Sequence, residues 1–165
     1  MLTLILGGIR SGKSRLAARL AGAAPGPVLF LATGQATDDE MRQRIDDHRR
    51  HRPAGWVTAE EPLHPAAVAV PAGATVLLDS VDSLVANLLL AGADAAEAER
   101  GAVAEVLGVA ARTCIAVSCE AGFAPVALSP LGRAFQDALG RTNQALAARA
   151  EHVHLCVAGI PVAIK

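Results

Sequence analysis

Leu2-Thr3-Leu4-Ile5-Leu6-Gly7-Gly8-Ile9-Arg10-Ser11-Gly12-Lys13-Ser14 runs an apolar stretch straight into a complete G-x-x-x-x-G-K-[ST] pattern. Each position has a chemical reason. Glycines let backbone N–H groups curl around phosphate oxygens, Lys13 reaches the β- and γ-phosphates, and the Ser14 hydroxyl is placed to hold Mg²⁺. The segment Ser14-Arg15-Leu16-Ala17-Ala18-Arg19-Leu20 has the residues of a helix. Its N-terminus would aim the positive end of the helix dipole at the same phosphates. Strand, loop and helix in this order imply a nucleoside-triphosphate site formed by Gly7, Gly8, Ile9, Arg10, Ser11, Gly12, Lys13 and Ser14.

Working outward, apolar runs at 2–6, 28–32, 56–59, 75–79, 114–119 and 152–157 read as strands, and a short last one at 161–165 joins them. Helical patterns at 13–21, 38–50, 81–90, 95–111 and 130–150 alternate with most of them. Such alternation implies an α/β fold, with right-handed crossovers and a mostly parallel sheet flanked by helices. The last strand follows only Ala158-Gly159, so it is expected to pair antiparallel with its predecessor. In such sheets ligands bind beyond the carboxyl ends of the strands, where Gly7, Thr33, Glu60, Asp79 and Glu120 would emerge.

At 165 residues the chain suits one domain, 1–165. Aromatic residues are scarce (one Trp, three Phe), so the core must be aliphatic, as in buried parallel strands. The formal charge of −1 provides no field for gathering nucleic acid. Small molecules or other protein chains are the expected partners. No apolar stretch approaches the roughly 20 residues of a membrane helix, and no signal segment precedes the first strand, so no membrane insertion is expected. Cys114, Cys119 and Cys156 are odd in number and have no C-x-x-C spacing, which fits a reduced, cytoplasmic protein without structural zinc.

Thr75-Val76-Leu77-Leu78-Asp79 ends an aliphatic strand in a carboxylate, the pattern that delivers an acid to Mg²⁺ beside a phosphate loop. Taken alone, Asp79 serves equally well as the cap of the next helix. In the charged segment 38–53, Met41, Ile45 and His48 are spaced by four and three and fall on one helical stripe. His48 is therefore expected to turn inward, either as a half-buried histidine at a helix end or as a reactive group. Arg49, Arg50 and Arg52 beside it suit a triphosphate and would hold the imidazole neutral, although a solvated basic helix end has the same composition. Glu60 and Glu61 are open between surface charge and contact with a ribose or base. Arg141, Asn143 and Gln144, inside the last helix, are read as exposed polar positions.

Together these residues resemble the bifunctional adenosylcobinamide kinase/adenosylcobinamide-phosphate guanylyltransferase family of cobalamin synthesis. The marks are residues 7–15; Ala32-Thr33-Gly34 with Asp39-Glu40-Met41; Arg44-Ile45, His48 and Arg52-Pro53; Trp56, Thr58 and Glu60; and Leu77-Leu78-Asp79 with Asn87-Leu88-Leu89. Glu120 with Gly122, Gly140-Arg141 with Asn143-Gln144, and Gly159-Ile160-Pro161 complete them. The resemblance implies a P-loop NTPase-like fold and two reactions. A nucleoside triphosphate, ATP or GTP, phosphorylates adenosylcobinamide, and GMP from GTP is then joined to that phosphate. It further implies that His48 carries GMP covalently, and that Ala32, Thr33, Gly34, Arg49, Arg50, His51, Arg52, Glu60 and Asp79 line the GTP site. Mg²⁺ on Ser14 and Asp79, a corrinoid substrate and a homotrimer belong to the same picture. The chain departs from the family pattern at Cys119, Asp82 and 124–127. Two other classes compete: a small-molecule P-loop kinase that moves only the γ-phosphoryl group, and a regulatory nucleotide binder without chemistry.

Overall fold

The computed structural model describes residues 1–36, 39, 42, 43, 49, 50 and 52–165. Seven strands form one sheet: β1 (Leu2–Gly7), β2 (Val28–Ala32), β3 (Val57–Glu60), β4 (Thr75–Asp79), β5 (Thr113–Cys119), β6 (His152–Val157) and β7 (Ile160–Ala163). Their order is β3-β2-β4-β5-β1-β6-β7. All pairs are parallel except β6 with β7. The expected α/β architecture with an antiparallel C-terminal strand is the observed one.

The four α-helices with defined bounds are α1 (Lys13–Ala23), α2 (Val81–Leu90), α3 (Ala95–Gly108) and α4 (Pro130–Arg149). Asp39, Arg42, Gln43, Arg49 and Arg50 are helical as well, within the helix expected over 38–50. One sheet face is covered by α2, α3 and α4, through Leu84, Val85, Ala98, Ala102, Leu139 and Leu146 against Leu4, Leu31, Val76 and Leu78. On the other face Leu16, Ala17 and Ala21 of α1 pack on Ile5, Phe30, Leu77 and Val117. Burial on both faces is why the central strands read as unbroken aliphatic runs. Each fully buried Leu or Val in them contributes roughly 1.5–3 kcal/mol of transfer free energy.

Boundaries differ from the sequence reading at a few ends, for local reasons. The third helix stops at Gly108 instead of continuing to 111, because Val109 is already extended ahead of β5. The last strand is Ile160–Ala163 rather than 161–165, since Ala158 (φ 51°) and Gly159 (φ 82°) use both positions of a two-residue hairpin turn. Positive φ at both centres matches the twist of the flanking strands. Cys114 and Cys156 are core residues, and burial pushes both thiols up, Cys114 to about 12.

Asn143 corrects the reading of the last helix as exposed there. It is buried, its Oδ1 accepts from the Ser118 hydroxyl at 2.7 Å, and its Nδ2 donates to the Cys119 carbonyl at 2.9 Å. Asn143 thus ties α4 to the end of β5. Replacing it by Ala leaves the fully buried Ser118 hydroxyl without this acceptor, and is expected to cost about 2–4 kcal/mol. A drop in thermal midpoint on the order of 10 °C, read by circular dichroism, is the corresponding measurement.

Candidate nucleotide site

The phosphate loop leaves β1 at Gly7 and enters α1 at Lys13. At Gly7 the loop has no room for a side chain: an added Cβ would collide with the Ser11 hydroxyl and lie 2.8 Å from the Cys156 carbonyl. Gly12 takes φ 95°, and a Cβ there would meet Gly159 Cα at 3.1 Å. The β6–β7 turn supports the loop from behind, with Gly159 N–H donating to the Ser11 carbonyl at 2.9 Å. Lys13 folds back so that Nζ donates to the Gly8 carbonyl at 3.3 Å.

The helix termini show what this loop lacks. Ser80, Asp94 and Ser129 cap α2, α3 and α4 through their side chains, whereas α1 begins at Gly12 with no side-chain cap. The first N–H groups of a helix have no intrahelical partner, so those of α1 are left facing whatever occupies the loop. Two further donors lie buried without a hydrogen-bond partner, Ser11 Oγ and Arg52 Nε. Ser11, Arg52 and the start of α1 belong to the lining of one cavity of about 1010 Å³, bounded by residues 9–15, Ala18, Phe30, Arg52, Pro53, Trp56, Asp79, Ala158 and Gly159. An anionic ligand in the cavity would meet the N–H groups of this uncapped helix start.

Arg52 lines the same cavity. Its guanidinium lies 3.6 Å from the Phe30 ring centroid and Nη1 donates to Thr58 Oγ1 at 3.2 Å. Burial is the main influence on this guanidinium and lowers its pKa, Asp79 and Glu60 oppose that, and Arg49 adds to it. Arginine nevertheless stays charged in proteins, so the cavity keeps a desolvated cation. Arg49 pairs with Glu60, and Arg50 is an exposed helical residue.

Of the expected site residues, 9–14, Arg52 and Asp79 come together around the cavity. Gly7 and Gly8 shape the loop beneath it. Ala32, Thr33 and Gly34 lie at the end of β2 next to Asp79. Thr33 is fully buried, with Oγ1 donating to the Ser80 carbonyl and accepting from the Ser80 N–H, so its side chain pins β2 to the start of α2. Asn87 extends the pin by donating to the carbonyls of Thr33 and Pro62. Glu61 accepts from the N–H groups of Leu63 and His64, which hold its carboxyl below the usual range, and so it serves as a turn cap. His48 and His51, together with Met41 and Ile45 of the expected stripe, lie outside the described residues.

Phe30, Trp56, Ala158 and Gly159 were not singled out as cavity residues from the sequence alone. Phe30 and Trp56 fall in strand-like runs of the sequence, Trp56 also among the marks of the resemblance, and only the sheet order carries the hairpin turn to the loop. No group of three or more His, Cys, Asp or Glu side chains able to hold a metal occurs among the described residues. Mg²⁺ demands less, since it usually takes one or two protein oxygens and completes its shell with phosphate and water. The Ser14 hydroxyl and the Asp79 carboxylate on the cavity wall fit that requirement.

A parallel sheet with a glycine loop and an uncapped helix at the end of β1 defines a P-loop nucleotide-binding α/β protein. Within that class, the profile of the cobinamide kinase / cobinamide phosphate guanyltransferase family matches residues 3–164. The chain belongs to this family, and it is an enzyme. It is 45% identical over 169 residues to the bifunctional adenosylcobalamin biosynthesis protein CobP of Pseudomonas aeruginosa, covering 100% of this chain and 98% of the relative. Identity to the bifunctional adenosylcobalamin biosynthesis proteins CobU of Salmonella typhimurium and Escherichia coli is 42% and 40%, with 100% of both chains covered in each case. No helix among the described residues is long and apolar enough to cross a membrane.

Proposed function

We propose that residues 1–165 act as one domain that first phosphorylates the free hydroxyl of adenosylcobinamide from ATP or GTP and then transfers GMP from GTP onto that phosphate. The observation that carries this reading is one cavity lined by the phosphate loop, the start of α1 without a side-chain cap, Lys13 and Arg52. Such a wall suits a polyphosphate better than a neutral ligand. Phe30 and Trp56 supply apolar surface in the same cavity against which a base would lie.

In the first reaction the acceptor oxygen attacks the γ-phosphorus, the bond to the β–γ bridging oxygen breaks, and the hydroxyl proton leaves to solvent or a nearby base. Lys13, Arg52 and the N–H groups of the loop hold the charge that spreads over the phosphate oxygens. When bound at Ser14 and Asp79, Mg²⁺ would neutralise part of the same charge. In the second reaction a neutral His48 imidazole attacks the α-phosphorus of GTP and pyrophosphate departs. The phosphate of the corrinoid then displaces the histidine. Dividing the transfer into two displacements lets one nucleotide site serve a bulky second substrate.

The enzyme is further proposed to work in the cytoplasm as a homotrimer. Ile160, Val162 and Ile164 are exposed at and just beyond the edge strand β7, which supports assembly over a solitary chain. The reaction scheme is checked by incubating the purified chain with adenosylcobinamide, GTP and Mg²⁺ and resolving the products by chromatography and mass. Adenosylcobinamide phosphate followed by its GDP derivative is expected. Accumulation of the phosphate alone would reduce the enzyme to a kinase.

A further inference from the structure

Glu120 follows the end of β5, and it does not bound the nucleotide cavity. The register explains its position. In β5, Val117 is level with Asp79 and Cys119 with Gly7, so this strand runs past the level of Asp79 and stands between β4 and the strand that bears the phosphate loop. The Glu120 N–H then donates to the Gly7 carbonyl at 3.2 Å, which ties the first residue after β5 to the root of that loop. Its side chain folds onto the next turn, with Oε1 accepting from the Gly122 N–H at 2.8 Å. A Cβ at Gly122 would lie 2.8 Å from the same oxygen, so glycine leaves room for the carboxylate. Among the described residues Oε2 has no hydrogen-bond partner.

From Glu120 the chain crosses the same end of the sheet before α4 carries it back toward the start of β6. Phe123 and Val126 are each 76% exposed there and Leu128 is 98% exposed, so three large apolar side chains stand in water within one short loop. The loop itself is held. Gln136 donates to the Pro125 carbonyl and accepts from the Ala127 N–H, while Arg133 donates to the carbonyls of Ala127 and Leu128. Apolar surface kept exposed on a fixed backbone marks a place where something binds.

We propose that this loop is the acceptor subsite: Phe123, Val126 and Leu128 carry the corrin ring, and Glu120 receives the proton of the hydroxyl that is phosphorylated. The inference rests on the cobinamide reading above and adds a place for its second substrate. A triphosphate takes the cavity, so a macrocycle as broad as a corrin, rimmed with methyl groups, has to rest outside it and send in only the arm that bears the hydroxyl. The backbone bond from Glu120 to Gly7 puts the apolar loop beside the phosphate loop, where such a ring belongs. As the acceptor oxygen bonds to the γ-phosphorus and the bond to the β–γ bridging oxygen breaks, the hydroxyl proton passes to Glu120 Oε2. Guanylyl transfer asks nothing of this carboxylate, because its acceptor is already a phosphate anion.

The full chain is tested as E120Q and as the triple variant F123S/V126S/L128S. Cobinamide affinity is read from the change in its visible spectrum, GTP affinity by calorimetry, and oligomeric state by gel filtration. Values of kcat and KM are measured for both reactions, guanylyl transfer being started from purified adenosylcobinamide phosphate. E120Q is expected to lower kcat for phosphoryl transfer by roughly 10²-fold, the lower end for loss of a general base. Guanylyl transfer and both affinities should stay unchanged, since the amide oxygen still accepts from the Gly122 N–H. The triple variant should raise the corrinoid KM at least roughly tenfold in both reactions, with kcat and GTP affinity retained. Wild-type kcat in E120Q, or equal losses in the two reactions, would overturn the role of Glu120. Unchanged corrinoid affinity in the triple variant would overturn the docking surface, and a changed oligomeric state beside it would give the patch to a second copy of the chain. A wild type that binds GTP but no corrinoid would remove the cobinamide reading itself.

Discussion

His48→Ala is expected to abolish the protein-bound label formed from α-labelled GTP and to lower guanylyl transfer by at least roughly 10³-fold, the scale seen when a covalent nucleophile is deleted. Phosphoryl transfer to adenosylcobinamide should persist, because that step uses the loop and needs no histidine nucleophile. Position 48 is followed at once by Arg49, which pairs with Glu60 at the end of β3, and four residues later by Arg52 on the cavity wall. Cations beside position 48 are expected to disfavour a further positive charge there, which would leave the imidazole neutral and nucleophilic. A phosphoramidate bond is labile in acid and stable in alkali, so the wild-type label should show that behaviour after denaturation. Label that survives in His48→Ala would remove this residue from the mechanism, and loss of GTP binding together with the label would assign it to binding instead.

The loop and its strand were legible because they are local. Residues 2–14 contain the strand, every glycine the turn needs and the start of the helix within one contiguous segment. The hairpin of β6 and β7 was legible for the same reason, its register following from the two-residue link Ala158-Gly159. Asp79 could be placed at a strand end from the pattern of Thr75–Asp79, but its choice between helix cap and site residue could not. The structure gives the cap to Ser80, which accepts from Ser83 N–H, and leaves Asp79 on the cavity wall.

What escaped the sequence lies between elements distant in the chain. Asn143 carries no signal of burial by itself, since asparagine inside a helix usually faces water. Only the packing of α4 on the end of β5 gives it Ser118 and Cys119 as partners. Asp82 and Cys119 are 37 positions apart and meet because β5 inserts between β4 and β1, an order that periodicity does not encode. Phe30 and Arg52 form one wall through a stacking contact across β2, where the sequence shows only an apolar residue and a basic one.

The second large effect is expected from Lys13→Ala, which should depress both reactions, phosphoryl transfer by roughly 10²–10³-fold, the loss typical of removing one preorganised donor from developing charge. The two reactions should not suffer equally. Phosphoryl transfer breaks the bond next to the β–γ bridging oxygen, directly where Lys13 acts, whereas guanylyl transfer breaks the α–β bond and leans more on the donors around it. Arg52 on the cavity wall and the uncapped start of α1 remain in the variant and are expected to continue holding the polyphosphate. Nucleotide affinity should therefore fall less than kcat, in keeping with an interaction that strengthens in the transition state. Lys13→Arg should not restore the rate, because a planar guanidinium cannot take the place of a compact ammonium folded back on the Gly8 carbonyl. Steady-state kinetics of both half-reactions, with GTP affinity measured separately, decide the matter. Equal losses in the two reactions, or a fall in affinity as large as the fall in kcat, would make Lys13 a binding residue for the ground state and remove its special part in moving the γ-phosphoryl group.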